Sequence, residues 1–414
     1  MPGCSSSGLC AGTEDGRHKK EGVMFTKILV ALDNSKYSDY GMEAALRIAA
    51  SQRSEIAGCH VYAAKLHEAR FTDMEAGLPQ QYQPEAILKR QRDIHQSLIE
   101  KGLGIISDSY IDKFEAAARA KGLGGILRRS REGKNYVEIL NEAAEGGYDL
   151  VVMGGLGMGE VEHSFLGGVC ERVARLISKD LLVVKSPSFG GKITVGIDGS
   201  PCSFAALMAA LEFRGIFGGE VEAVAVFDPY FHQVAFRNIA GALSEEASKI
   251  FRFKEQEKLH DEIIDQGMAK IYQSHLDTAY KLASARGVEI KTVLLAGKAF
   301  NEMLKASREN SFLMLGRFGL HKSSISSMGN TVENVLRQTP ANVFIASGEY
   351  RADEDMKKDC KIIGWTGGAL SKLERIPDFV RGIAKKAIED YATERGLDEV
   401  TESVVDEAKK RFGM

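Results

Sequence analysis

The chain repeats itself, and this internal duplication constrains its fold more than any other feature of the sequence. Asp33 ends the apolar segment KILVALD, and Asp198, 165 residues later, ends the similar segment KITVGID. The same spacing carries the tripeptide AAL from 44–46 to 209–211. Matches in register at several positions indicate two copies of one domain, here the first and second repeat, rather than one large domain.

Each repeat has the order of elements that builds a parallel sheet. Short runs rich in Val, Ile and Leu, without polar alternation, are separated by stretches in which apolar residues have helical spacing. Such strands are buried on both faces, because right-handed crossovers cover both sides of the sheet with helices. We therefore predict an α/β fold of two doubly wound, Rossmann-like domains. Each has a five-stranded parallel sheet and a long helical insertion, at 65–121 and 230–286.

The domain boundaries follow from changes in composition. The prediction is a disordered leader, two α/β domains, a charge-rich linker and a small all-α domain, at 1–23, 24–186, 191–348, 349–363 and 364–414. A net charge of −3 gives no reason to expect nucleic acid or a membrane surface as a partner. The six cysteines are scattered and form no CxxC pair, which is typical of reduced thiols in a cytoplasmic protein.

A glycine-rich loop follows the fourth predicted strand of each repeat, and the two loops are 162 residues apart. The first reads G-x2-G-x9-G-G and the second G-x2-G-x9-G-N, at Gly154, Gly157, Gly167 and Gly168, and at Gly316, Gly319, Gly329 and Asn330. Glycine lets a backbone approach a phosphate closely, and the N-terminus of the following helix favours an anion. The identical spacing therefore predicts phosphate binding.

These loops, the aspartate after the first strand, and the helices ERVARLIS and NTVENVLRQTP resemble the universal stress protein family. ATP-binding members of that family carry G-x2-G-x9-G-(S/T) at this position. The resemblance implies an adenine nucleotide, ATP, with its base and ribose near Asp33 and Val61 or near Asp198 and Val226. It places the phosphates on Gly154, Gly157, Gly167, Gly168 and Val169, or on Gly316, Gly319, Gly329, Asn330 and Thr331.

Two differences between the loops favour the second repeat as the ATP site. Neither loop has the Ser or Thr of the family pattern, but Asn330 keeps a side-chain donor where Gly168 offers only its backbone. The first loop contains two glutamates and no Lys or Arg, whereas Arg317 and Lys322 accompany the second. Cations attract a polyphosphate and carboxylates repel it. The other interpretation, that both loops are relics of a branch that does not bind nucleotide, stays open.

The insertions carry histidines at duplicated positions. The two pairs are His67 with His95, and His232 with His260. One interpretation is a divalent-metal or pH-sensing site in each repeat; the other is a set of imidazoles that hydrogen-bond where a helix packs on the sheet. The spacing of apolar residues around these histidines predicts amphipathic helices broken near Gly102 and Gly267.

The tail resembles the C-terminal domain of the B-type subunit of light-independent protochlorophyllide reductase. The shared spacing is W…L-x-x-IP-x-FVR…E-x-x-A…G…T, over about 50 residues that begin near Trp365. The large domains and cluster-ligating cysteines of that subunit have no counterpart, so reductase activity is not implied. We interpret Trp365 and Phe379 as core residues of a helical mini-bundle, with a docking role as the alternative.

The motifs favour a regulatory protein over a metabolic enzyme. The sequence has no Ser-His-Asp order, paired catalytic carboxylates or Walker loop, so at most slow ATP hydrolysis is expected. The leading hypothesis is a nucleotide-responsive stress protein whose state is read by a protein partner. The alternatives are a nucleotide-independent adaptor and a metal- or redox-responsive sensor. We also expect the final strands, LLVVKS and NVFIAS, to join the repeats as a pseudo-dimer, and a further homo-oligomer stays open.

Overall fold

The computed structural model describes residues 24–159, 164–228, 265–320 and 328–352. Within 364–412 it describes all but 377–380, 382–383, 386, 390, 393–394, 396 and 398. The described residues up to Tyr350 form one compact unit and those from Arg351 onwards form a second. None of the described helices combines the length and the apolar composition that crossing a bilayer requires.

The first repeat alternates strands and helices as its sequence predicts. Its strands are β1 (Lys27–Ala31), β2 (Glu55–Tyr62), β3 (Leu127–Glu132), β4 (Leu150–Gly154) and β5 (Asp180–Val184). Its helices are α1 (Lys36–Gln52), α2 (Ala64–Met74), α3 (Glu85–Ala120), α4 (Asn135–Glu145) and α5 (Gly168–Leu176). The strands are apolar on both faces where they are central, and β1 and β4 are almost wholly buried.

The second repeat follows the same order. Its strands are β6 (Lys192–Gly196), β7 (Glu220–Phe227), β8 (Lys291–Ala296), β9 (Phe312–Gly316) and β10 (Asn342–Ala346). Its described helices are α6 (Pro201–Phe217), α7 (Asp265–Ser284), α8 (Ala299–Ala306) and α9 (Asn330–Gln338). Ser35 and Ser200 begin α1 and α6 in the same way, because each hydroxyl accepts a hydrogen bond from the backbone N–H three residues later.

The two repeats share one ten-stranded sheet with the order β3-β2-β1-β4-β5-β10-β9-β6-β7-β8. Each half is parallel, which confirms the predicted five-stranded arrangement. The halves meet where β5 pairs antiparallel with β10, Leu182 lying opposite Phe344. One cluster of buried side chains runs through both halves. The final strands therefore join the repeats as a pseudo-dimer, as their apolar sequences predict.

A buried cation from each repeat holds the carboxyl end of a helix in the other. Lys185, just after β5, donates from Nζ to the carbonyl oxygens of Leu336 (2.5 Å) and Thr339 (2.8 Å) at the end of α9. Arg317, just after β9, donates from Nη1 to the carbonyl of Ala174 (2.8 Å) in the last turn of α5. These carbonyls have no partner within their own helix, and the helix dipole favours a positive group there.

The two cations come from different positions of the repeat. By the 162-residue spacing, Arg317 corresponds to Gly155, and Lys185 corresponds to Ser347. A Cβ built on Gly155 would lie 2.7 Å from Cγ of Lys185, so the small residue leaves room for the cation of the same repeat. In the second repeat Ser347 is the small residue, and its hydroxyl accepts from Nε of Arg317 at 2.7 Å. Each repeat thus supplies one buried basic side chain and one small residue that leaves room beside it.

An ion-pair quartet with the same symmetry lies between α5 and α9. Glu171 and Arg175 of α5 meet Glu333 and Arg337 of α9, and each arginine contacts both glutamates. The Arg337–Glu171 distance is 2.6 Å and the Arg337–Glu333 distance is 2.8 Å. The arginines lower the pKa of the Glu171 carboxyl. Since these side chains are partly exposed, the quartet adds little to the free energy of unfolding and mainly orients α5 relative to α9.

The predicted break in the insertion helix is wrong for the first repeat. Helix α3 is continuous from Glu85 to Ala120, with Gly102 inside it. Glycine weakens a helix interior by only about 1 kcal/mol. The carboxyl-terminal half of α3 offsets this by burying Ile111 and Phe114 on the sheet. In the second repeat Gly267 lies inside α7, and the residues before α7 fall outside the described part.

The tail unit is helical, as predicted, and also contains one pair of two-residue strands. The strands β11 (Gly364–Trp365) and β12 (Glu399–Val400) pair in parallel, beside helices α10 (Gly367–Glu374) and α11 (Glu402–Phe412). Its core contains Leu373, Tyr391 and Val405, with Trp365 packed against it. The predicted core role of Trp365 is confirmed, whereas Phe379 lies outside the described residues.

Replacing Arg317 tests how strongly the buried cations join the repeats. Arg317→Met keeps most of the side-chain volume but leaves the Ala174 carbonyl without its charged donor. We expect the free energy of unfolding to fall by about 2–4 kcal/mol in urea titrations. Arg308→Met is the control, because Arg308 is exposed, and we expect a change below about 0.5 kcal/mol. Equal effects of the two substitutions on the free energy of unfolding would contradict the role of Arg317 in joining the repeats.

Lys185 makes a prediction about pH. Burial lowers the pKa of its ammonium from 10.5 to about 7, so Lys185 is a cation only below that pH and donates to the helix carbonyls as a neutral amine above it. Between these values the unfolded chain binds a proton that the folded chain does not, so this group makes stability rise with pH, by up to about 1.4 kcal/mol per pH unit. We expect the urea midpoint of the parent chain to rise relative to that of Lys185→Met between pH 7 and pH 9. Parallel pH profiles for the two proteins would refute this.

Candidate functional site

A cavity opens at the carboxyl edge of each half of the sheet. The first measures about 620 Å³ and the second about 320 Å³. In both, the walls come from the ends of the first, second and fourth strands of the repeat, the glycine loop, and the start of the helix that follows it. Ligands of parallel α/β sheets bind at this edge. The predicted site residues therefore converge in both repeats.

The aspartate after the first strand is held in the same way in each cavity. Oδ1 of Asp33 accepts the backbone N–H of Ser35 at 2.9 Å, and Oδ1 of Asp198 accepts that of Ser200 at 3.0 Å. The hydroxyl of Ser200 also donates to Oδ1 of Asp198, at 2.6 Å. Within the described residues Oδ2 of Asp33 accepts no hydrogen bond, and its carboxylate lines the cavity. A fixed acceptor of this kind suits the hydroxyl groups of a sugar.

The first two glycines of each loop are explained by packing inside the protein. A Cβ on Gly154 would lie 2.7 Å from the backbone carbon of Tyr37, and one on Gly316 would lie 2.7 Å from the backbone of Cys202. At the next loop position a Cβ on Gly157 or Gly319 would lie 2.7–2.8 Å from Oδ2 of Asp33 or Asp198. Any larger residue at these positions would displace α1 or α6, or the aspartate.

The glycines at the helix start have no such explanation. Gly167 (φ −83°) and Gly329 (φ −67°) have backbone angles that any residue adopts. A Cβ on either would make ordinary contacts of 3.4–3.5 Å, and one on Gly168 would meet no atom of the described residues within 4 Å. Neither Gly167 nor Gly329 caps its helix with a side chain. The starts of α5 and α9 line the cavities, and first-turn N–H groups have no partner within their own helix, which favours an anion there.

The two valines predicted to lie near the base and ribose line the two cavities. Val61 and Val226, each 8% exposed, line the first and second cavity at the ends of β2 and β7. Val169 also lines the first cavity. Asn330 and Thr331, in the first turn of α9, line the second. All predicted nucleotide-site residues among the described ones therefore line a cavity, except one.

Arg317 is the exception, and its predicted contact with phosphate is wrong. Its side chain is 2% exposed and points into the boundary between the repeats, where it binds Ser347 and Ala174. Adjacency to the loop in sequence does not place this cation beside the ligand in space. The carboxyl end of α5 attracts the guanidinium away from the cavity. Lys322 lies outside the described residues, so that prediction stays open.

Sequence reasoning missed the wall that His60 and Tyr110 form in the first cavity. Their rings meet edge to face, with centroids 4.9 Å apart. Nδ1 of His60 is buried without a hydrogen-bond partner in the described protein. Burial lowers the pKa of His60, and the nearby Asp33 only partly opposes this. His60 alternates with Val61 along β2, so the strand pattern offers no reason to expect both at one cavity.

Of the two histidine pairs predicted to bind metal, only the first lies among the described residues. His67 lines the first cavity, whereas the ring of His95 stacks on Phe71 with centroids 4.4 Å apart. His232 and His260 lie outside the described residues. In the described portion of the chain, no three side chains of His, Cys, Asp or Glu converge as a metal site would need. Stacking on Phe71, which belongs to α2, matches neither the metal site nor the hydrogen bond at a helix–sheet seam, and the divalent metal stays a prediction.

Comparison with known proteins agrees with this geometry. The family described as "Universal stress protein family" matches residues 24–185 and again 191–347. The chain belongs to the universal stress protein family. The universal stress protein YxiE of Bacillus subtilis is 29% identical over 163 residues, which is 39% of this chain and all of that protein.

Two solved structures are also similar to this universal stress protein. One is a universal stress protein from Archaeoglobus fulgidus, 17% identical with a TM-score of 0.47, which covers 78% of this chain and 98% of that one. Another is a universal stress protein in complex with cAMP, 22% identical with a TM-score of 0.26, which covers 39% of this chain and 97% of that one.

The tail has its own relatives. The family described as "Proto-chlorophyllide reductase 57 kD subunit" matches residues 365–409. The B-type subunit of the light-independent protochlorophyllide reductase of Synechococcus sp. RCC307 is 41% identical over 54 residues, 13% of this chain. The match spans only 10% of that protein's length. The likeness is therefore confined to one small domain.

The packing role of the first loop glycine is testable. Gly154→Ala places a methyl group within 2.8 Å of the backbone N of Ser38. We expect a loss of about 1–3 kcal/mol in the free energy of unfolding, because α1 must shift. Gly159→Ala is the matched control, since a Cβ there meets no atom of the described residues within 4 Å. Equal falls in the unfolding midpoints of the two variants, or no fall for Gly154→Ala, would contradict the packing role of Gly154.

Proposed function

We propose that this universal stress protein binds an adenine nucleotide, ATP in the first instance, and acts as a regulatory protein rather than a metabolic enzyme. The observation that carries the proposal is the glycine pair at the start of α5 and the glycine at the start of α9. Packing and backbone angles explain Gly154 and Gly157 but not Gly167, Gly168 or Gly329. Close approach of a ligand to the helix N-terminus is one reason for glycine there, beside its ordinary preference for N-cap positions.

The described residues of each cavity suit the three parts of a nucleotide, namely its phosphates, ribose and base. The first-turn N–H groups of α5 or α9 would hold phosphate oxygens. The carboxylate of Asp33 or Asp198 would accept the ribose hydroxyls, and Val61 or Val226 would cover the base. Both cavities have volumes in the range of roughly 300–1,000 Å³ that small-molecule sites occupy. The described linings include no Lys or Arg, so helix N-termini carry the electrostatic part of the proposal.

We propose further that the second repeat binds ATP more tightly. Since Arg317 points away from the cavity, this preference rests on the first turn of α9. Asn330 and Thr331 add an amide and a hydroxyl to the backbone donors, whereas Gly168 and Val169 add none. Hydrogen bonds to a charged group contribute roughly 1.5–3 kcal/mol, which corresponds to a tenfold or larger difference in affinity.

Paired substitutions at the helix start test both statements. Asn330→Asp changes charge without changing size, and a Cβ on Gly168 meets no atom, so Gly168→Asp also leaves the packing intact. An acidic residue in the first turn stabilises a helix, so any loss of ATP binding is not a loss of fold. By titration calorimetry we expect Asn330→Asp to weaken the tighter ATP site at least tenfold. We expect Gly168→Asp to affect only the weaker site.

Matched neutral variants complete this experiment. Gly168→Asn gives the first repeat the residue of the second, and we expect it to tighten ATP binding there severalfold. Thermal unfolding of each variant checks that the fold is kept. Absence of ATP binding by the parent chain at millimolar concentration would refute the proposed function. Equal losses from Asn330→Asp and Gly168→Asp would refute only the preference between the repeats.

A further inference from the structure

Helix α3 is much longer than the part of it that the sheet covers. Its 36 residues span about 54 Å, whereas the 8 residues of β2 span about 27 Å. The carboxyl-terminal half buries Ile111, Phe114 and Ala118 against the sheet. In the amino-terminal half only Leu88 is buried, and this half is accompanied by α2. Half of the helix therefore has little of its surface covered by the described residues.

The exposed half carries a heptad pattern. Six positions follow one another at alternating steps of four and three residues: Ile87, Gln91, Ile94, Leu98, Lys101 and Ile105. We call these six residues the α3 seam. Its apolar members are exposed by 38%, 51%, 66% and 70% in chain order. Alternating steps of four and three place all six on one face, which is the arrangement of a coiled-coil interface.

The seam is complementary to itself when a second copy runs antiparallel. A twofold axis at the level of Gln96 places Leu98 opposite Ile94 of the other chain, and Ile105 opposite its Ile87. The same axis places Gln91 opposite Lys101, so the two polar positions meet each other rather than an apolar residue. An amide oxygen accepts from an ammonium, and every apolar position faces another apolar position. A parallel pair would instead bring Lys101 against Lys101.

The neighbouring residues fit the same arrangement. Ser97, Gly102 and Gly104 are small, so two helix backbones can approach closely beside the seam. A shallow groove of about 530 Å³ runs along this face and is bordered by Asp93. Asp93 lies two residues, or about 3 Å along the axis, from the level that Lys101 of the second chain reaches. Opposite charges thus flank the apolar centre.

The sequence of the second repeat does not repeat the pattern of the α3 seam. By the 165-residue spacing, Ile87 corresponds to Arg252 and Ile105 to Lys270. Pairing α3 with the insertion of its own chain in this register would set a cation against isoleucine at both ends. Only a second α3 matches all six positions. We propose that the chain forms an antiparallel, twofold-symmetric dimer through the α3 seam.

The contact is small for a protein interface, so the dimer is expected to be weak. One exposed helix face falls below the standard interface size of about 1,600 Å², and we expect a dissociation constant in the range of about 1–100 μM. Sedimentation velocity of the full chain from about 1 to 200 μM covers that range. We expect the average mass to rise from monomer towards dimer, and a monomer throughout would overturn the proposal.

A charge at the centre of the seam tests whether α3 forms the contact. Leu98→Asp places a carboxylate opposite Ile94 and is expected to weaken the dimer at least tenfold. Leu370→Asp is the matched control, because Leu370 is also exposed, by 43%, but lies in the tail unit. Dimer affinity that falls equally in both, or in neither, would overturn the proposal. So would a monomeric parent whose urea midpoint drops on Leu98→Asp, since the seam would then be covered by its own chain.

A charge exchange tests the antiparallel register itself. Gln91→Lys brings the new ammonium against Lys101 of the second chain and is expected to weaken the dimer about tenfold. Adding Lys101→Glu turns that repulsion into an ion pair, so the double variant should regain at least the affinity of the parent. In a parallel dimer each residue would face its own counterpart, so a Glu–Glu contact would replace the Lys–Lys contact and the double variant would bind no more tightly than Gln91→Lys. That result would overturn the proposal.

Discussion

The antiparallel pairing of β5 with β10 is the contact on which the rest of the unit depends. It turns two five-stranded sheets into one and buries the apolar strand edges that each repeat would otherwise expose. Side chains on both sides of it form one continuous core. Asp180 and Asn342, at equivalent positions, each accept two backbone N–H groups from the strand end of the other repeat. Hydrogen bonds of the side chains thus continue the pairing beyond the strands.

The same pairing decides where the two cavities lie. Because each half is parallel and the halves meet antiparallel, the carboxyl ends of their strands point to opposite edges of the sheet. The carboxyl end of α5 therefore comes close to the end of β9, where Arg317 binds it, and the carboxyl end of α9 comes close to Lys185. Each helix that begins at one cavity is anchored at its other end by a buried cation of the other repeat.

Glycine serves two purposes in the loops, and only the tertiary structure separates them. Gly154 and Gly157 make room for α1 and for the Asp33 carboxylate, while Gly168 leaves open space at the start of α5. The spacing of all four glycines is one motif in the sequence. Their different neighbours come from distant segments, so spacing alone could not show that some are needed for packing and others for an approaching ligand. The same limit explains Arg317, which is adjacent to Gly316 in the chain but directed towards another helix.

The sequence by itself determined the duplication, the alternation of strands and helices, the position of the loops at the strand ends, and the core role of Trp365. These follow from local patterns, because apolar runs and helical spacing record which faces are buried. Only the tertiary structure decided that α3 passes unbroken through Gly102, that His60 joins Val61 at one cavity, and that two short strands pair in the tail. It also decided that Arg317 serves the boundary between the repeats. Each of these depends on residues far apart in the chain, whose meeting is fixed by packing and by the partners that buried polar groups require.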